Sequence, residues 1–215
     1  MSTGQARNTL AGGVTVADTP GDHGVAALRA ATRPTHERLD ALVDLRAWNH
    51  ETHRWWLERM LGLHEPLERG LGAWREVWPE SRPAPDVARR RRSGAIAADL
   101  RHLGLSPQEV RALPRSPLPP AVTGLGRALG QLYVLDGSAL GGAVIATHAI
   151  ASGIPAGACG SLAHSRERVT VWHETKRLLD DLAPAELDEA VRAAVELFAV
   201  FEAWLHTPTP GRVGG

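Results

Sequence analysis

Between residues 25 and 205 apolar side chains recur three and four positions apart, and no stretch shows the apolar–polar alternation of a β-branched strand. That period predicts helices over 25–44, 50–77, 86–103, 106–112, 121–151, 164–182 and 184–205. Clusters of proline and glycine predict loops at 79–85, 114–120 and 153–160. The expected class is all-α, with one domain over 25–206. Residues 1–24, rich in Gly, Thr and Ala without sustained periodicity, read as a flexible leader, and 207–215 as a flexible tail.

One predicted helix breaks the ordinary pattern. The segment LYVLDGSALGGAVI, residues 132–145, sets Gly137, Gly141 and Gly142 inside an otherwise apolar helix. Each glycine in a helix interior costs roughly 1 kcal/mol relative to alanine, so three within six positions need a reason. Either another backbone packs closely there, or a flat ligand lies on a surface stripped of side chains. Gly137 and Gly141, spaced i, i+4, share a face, and Ser138 and Gly142 form a second such pair beside them. The pattern predicts a smooth strip with a hydroxyl at its edge.

A second helix carries a histidine on its apolar side. In ALRAATRPTHERLDALV, residues Leu28, His36, Leu39 and Val43 mark an inward stripe, while Glu37, Arg38 and Asp40 take more polar directions. Such a histidine is either a hydrogen-bonded core residue or a ligand. Arg29 precedes it by seven residues, two turns or about 10 Å along the same face. Pro34, between them, removes a helical donor.

Composition narrows the function classes. A chain of 215 residues with zero formal net charge and a pI near 7.2 favours neither nucleic acid nor an anionic membrane surface. Cys159 is the single cysteine, which excludes an intrachain disulfide and a thiolate metal cluster. With no signal-like start and no run of about 18 apolar residues, a cytoplasmic protein is expected. Arg89, Arg90, Arg91 and Arg92 lack interleaved aromatics and read as a solvated face, with docking of an acidic electron donor as the functional alternative. His50, His53, His64 and His173 read as core or surface residues, because none reproduces the Glu-x-x-His pattern of diiron bundles. Trp55, Trp56, Trp74, Trp78, Trp172 and Trp204 read as core or subunit contacts.

Four ordered segments resemble one family. ATRPTHERLD is similar to the proximal-ligand helix of the bacterial biliverdin-producing heme oxygenases of the bacteriophytochrome-associated type. LGLHEPLE resembles their second helix, ADLRHLGLSPQEVRALP their middle segment, and LYVLDGSALGG their distal helix. The resemblance spans about 25–206 and implies an all-α heme oxygenase-like fold. It implies that heme is both substrate and cofactor, oxidised by O2 and electrons from an external donor to biliverdin, ferrous iron and carbon monoxide. A ferredoxin-type or flavoprotein reductant and a bacteriophytochrome are the implied partners. His36 becomes the proximal iron ligand, and Gly137, Ser138 and Gly141 the catalytic distal wall. Heme contacts fall to Arg29, Gly137, Gly141, Gly142, Lys176 and Arg177, the Arg29–His36 spacing suiting one propionate and the iron. The chain departs from the family pattern at two places. Ser138 stands about where relatives outside this subgroup carry an aspartate, with Asp136 nearby. GSLAHSRER places Ser161 and His164 where aromatics are expected. Those departures keep open a heme- or bilin-binding protein without turnover; a non-heme metal oxygenase and a structural partner of a phytochrome are further alternatives.

Overall fold

The computed structural model describes residues 23–79, 84–117 and 121–208. Among them are seven α-helices and no strand: α1 His23–Ala41, α2 His50–Val77, α3 Ser93–His102, α4 Pro107–Ala112, α5 Leu125–Ala151, α6 Arg166–Asp180 and α7 Pro184–His206. Local chemistry sets their ends. The Asn49 side chain accepts from the Thr52 amide at 2.9 Å and starts α2. Ser106 and Glu109 close a capping box on α4, and Ser165 caps α6. Pro34 sits inside α1 without ending it; Pro34 and Ala30, whose carbonyl loses its helical donor, both face solvent.

The α5 helix is the central element, packed along α7 and α6, while α1 lies on α7 and α6 and α2 pairs with α3. A Cβ on Gly126 or Gly130 would lie 2.1 Å from the carbonyl oxygen of Glu186 or Ala190, so the α5 and α7 backbones touch. These pairings, with His36 beside Phe198 and Arg38 bonded to Glu202, make α1, α5 and α7 run in one direction. Leu28, Leu57, Leu67, Leu71, Leu129 and Leu197 are fully buried between the helices. By length and composition α5 could cross a membrane, with a mean hydropathy of 1.4 over its best window. Its packing against α6 and α7 buries 44% of that window.

Two expectations change. The helix expected over 86–103 is split into a 3-10 turn, Ala88–Arg90, and α3 from Ser93. Asp86 accepts from the amides of Ala88 and Arg89, and Glu68 from those of Arg92 and Ser93, so carboxylates cap both pieces and interrupt the helical ladder. The first helix starts two residues earlier than expected, and Thr207 is tied to the helices. His23 and Gly24 belong to α1, where the Gly24 amide donates to Asp180 at 2.9 Å, and the Thr207 carbonyl is held by Arg59. Residues 1–22 and 209–215, with the loop tips 80–83 and 118–120, lie outside the described residues.

Candidate functional site

The glycines of α5 divide by what surrounds them. A Cβ on Gly142 would come within 3.1 Å of the Leu162 carbonyl oxygen, a close backbone approach. At Gly137 the nearest atom would be the edge of the Trp172 ring at 3.9 Å, an ordinary contact, and at Gly141 there is nothing within 4 Å. Protein packing therefore explains Gly142 and leaves Gly137 and Gly141 unexplained. Ser138 faces the Gly142 side: its Oγ donates to the Leu135 carbonyl at 2.8 Å and lies 3.4 Å from Arg92 Nη1.

The candidate residues Arg29 and His36 are on α1. One turn before Gly137, half-buried Tyr133 faces α1, with the Thr32 side chain and Arg29 near its hydroxyl. Beyond that junction His36 is one turn further along α1, and Gly137 and Gly141 are one and two turns further along α5. The His36 side chain is 49% exposed, and its ring lies 5.9 Å from that of Phe198. Nδ1 is 3.1 Å from Asp40 Oδ2. That hydrogen bond raises the imidazole pKa above its ordinary 6.5, against the opposing effect of partial burial and with the charges of Asp40 and Glu37 adding to it. With Nδ1–H directed at a carboxylate, Nε2 is the nitrogen left to bind a metal.

Rings lie at the Tyr133 junction and the cations toward the start of α1. Trp172 on α6 packs against Tyr133, ring centroids 5.8 Å apart, and helix geometry puts half-buried Lys176 one turn further along the same face. Arg29 is beside Tyr133, whereas exposed Arg177 lies off the Trp172 face. Trp172 is thus a wall residue that sequence reasoning assigned to no site. His164 is exposed, and Ser161 is fully buried rather than lining an edge.

The arginine run is not a solvated face. Arg90 and Arg92 are only 3% and 8% exposed, and Arg89 and Arg91 alone face solvent. Arg90 donates to Asp136 at 3.1 Å, to Glu174 at 2.9 Å, and to Thr175 Oγ1 and the Val171 carbonyl, each at 3.2 Å. Thr175 in turn donates to Asp136 at 2.7 Å. The carboxylate of Asp136 is therefore aimed at α6 and not at the strip; burial raises its pKa, against the charge of Arg90. Four identical residues in a row carry no periodic signal that separates the buried pair from the exposed one. The other histidines do no site chemistry: His53 accepts from Trp48 Nε1 at 3.2 Å and donates to the Ala158 carbonyl at 2.9 Å, and burial keeps His64 neutral. His50 and His173 are exposed.

The arrangement of these helices is that of the heme oxygenase fold. The NO- and CO-bound heme oxygenase from Neisseria meningitidis is similar over 85% of this chain and 89% of that one, at 23% identity and a TM-score of 0.64. No family model matches the chain, and no curated protein matches it. The residues fit a heme placed at the strip. A half-exposed imidazole has one nitrogen fixed by a carboxylate, and α5 lacks side chains at Gly137 and Gly141 for no reason of its own packing.

Proposed function

We propose that the protein is a heme oxygenase, holding heme between the His36 face of α1 and the Gly137/Gly141 strip of α5. The observation that carries this reading is the open space at Gly141. That position costs the helix about 1 kcal/mol, and Gly137, on the same face one turn earlier, extends the bare surface along α5, which supports a flat ligand there. Heme is the substrate and, when bound, supplies the iron at which O2 and electrons from an external donor open the ring to biliverdin, releasing ferrous iron and carbon monoxide.

The chain's own residues have separable tasks. His36 would bind the iron through Nε2, with Asp40 fixing the ring through Nδ1. Arg29 and Lys176 are the cations suited to the propionates, and Arg177 is the less well-aimed third. Gly137, Gly141 and Ser138 offer backbone and a hydroxyl rather than an acid, an environment that does not promote the O–O cleavage favoured by a strong distal acid. Gly142 supports that wall by seating α5 against Leu162. A ferredoxin-type or flavoprotein reductant would deliver the electrons, and a bacteriophytochrome would be the consumer of the product.

Purified protein given hemin is expected to show a sharp Soret band that His36→Ala abolishes. With ascorbate, or with ferredoxin and its reductase, the spectrum is expected to convert to that of biliverdin. Hemin affinity indifferent to His36 would sink the assignment. A second reading, a heme- or bilin-binding protein without turnover, is favoured by one observation: Asp136 is engaged by Arg90 and Thr175 and leaves the strip without a carboxylate. Stable His36 ligation with no product under reducing conditions would select it.

A further inference from the structure

Behind the strip lies a buried guanidinium without a carboxylate partner among the described residues. Arg92 Nη2 donates to the Ser161 carbonyl at 3.0 Å, and Nη1 lies 3.4 Å from Ser138 Oγ. Its Nε has no hydrogen-bond partner among the described residues, and neither have the buried Ser161 Oγ and Arg168 Nη1. The nearby carboxylates are committed elsewhere. Asp136 holds Arg90 and Thr175, and Asp99 accepts from the amides of Gly160 and Ser161. Glu68 accepts from the amides of Arg92 and Ser93 and from the Ser93 hydroxyl. These anions balance the guanidinium only at a distance. Burial and the neighbouring Arg168 bring its pKa down to about 10, which still leaves it charged at neutral pH.

A charge bonded only to neutral acceptors keeps its field, and in a desolvated setting that field is weakly screened. Ser138 is both the acceptor facing Arg92 and the edge of the strip, so the charge stands one hydroxyl behind the distal face. Resting on the heme reading above, we infer that Arg92 is the cationic positioning residue of the distal wall, making the Gly137/Gly141 face prefer small anionic ligands over neutral ones. It supplies a fixed positive charge beside a strip that lacks a carboxylate. Such preorganised charge acts where negative charge develops, without needing to reorient.

The test uses the full chain reconstituted with ferric hemin and titrated with azide, fluoride and neutral imidazole at one neutral pH. Arg92→Met is expected to weaken azide and fluoride by about tenfold while imidazole changes by less than about twofold. A loss of packing alone would move all three together, and that parallel shift, or no shift, overturns the inference. Ser138→Ala changes an exposed helical residue outside the buried cluster and decides the matter should Arg92→Met not fold. It is expected to weaken the anions about threefold with imidazole unchanged, and unaltered azide affinity there overturns the proposed route through the hydroxyl. Absent hemin binding, or binding independent of His36, fails the heme reading. Intact His36 ligation with affinities blind to charge fails this inference alone.

Discussion

Gly141 and Gly142 are adjacent yet lack side chains for opposite reasons, and a matched pair of substitutions separates them. Gly141→Ala adds a methyl group to open space and removes backbone freedom from the unfolded chain, so the heme-free protein should gain about 0.5–1 kcal/mol. The same methyl occupies the proposed heme surface, so hemin affinity should fall. Gly142→Ala forces a Cβ against the Leu162 carbonyl at 3.1 Å and should destabilise by about 1 kcal/mol or more. Denaturant unfolding and hemin titration of both variants check this; equal signs for the two stabilities would refute the division. His36 carries a second prediction. Its pKa lies above 6.5, chiefly through Asp40, so its contribution to the stability of the heme-free fold is complete below 6.5 and fades as pH rises through the raised value. Ligation has the opposite dependence, because iron needs Nε2 unprotonated, and it should weaken as pH falls through that value. Asp40→Asn should shift the midpoint of Soret loss to lower pH; an unmoved midpoint would show that Asp40 does not control the imidazole.

At the scale of elements, periodicity revealed what depends on one helix and missed what depends on two. Helix α2 matches its expected bounds because its cap, Asn49, and its apolar stripe lie in its own sequence. The break between Ala88–Arg90 and α3 was invisible for the converse reason: the carboxylate that caps α3 comes from Glu68, on α2. Nothing local distinguishes Arg90 and Arg92 from Arg89 and Arg91, so the sequence alone implies that all four are solvated; the partners of the buried pair are on α5, α6 and the loop at Ser161. If Arg90 is the pin that joins the 3-10 turn to α5 and α6, Arg90→Met leaves Asp136 buried and uncompensated, at a cost of about 3–5 kcal/mol. Adding Asp136→Asn should restore part of that loss. Chemical denaturation of the single and double variants measures the coupling, and a loss under about 1 kcal/mol in the single variant would show the pair to be dispensable.

For the whole molecule, both proposed walls can be read from the sequence and their relation cannot. The histidine stripe and the glycine strip are patterns within single helices, but which glycine meets a backbone and which meets nothing is decided by how α6, α7 and the Leu162 loop close around α5. Trp172 and Tyr133 join the site only through that closure. The same architecture gives a global prediction. In the heme-free fold α1 is carried mainly by α7 and α6, and α5 approaches it where Tyr133 lies near the Thr32 side chain. A heme ligated by His36 and lying on the strip would add a second bridge between α1 and α5, present only in the native state. Binding to the folded chain alone stabilises it by about 2.7 kcal/mol when free ligand is a hundred times its dissociation constant. The melting temperature should therefore climb with hemin concentration, and amide hydrogen exchange along α1 should slow with it. His36→Ala should lose both effects at the same hemin concentration while keeping its heme-free stability within about 0.5 kcal/mol, since the ring is half exposed and its one bond is to a neighbour on its own helix. Equal protection of α1 in the wild type and His36→Ala would mean that hemin is held elsewhere on the protein.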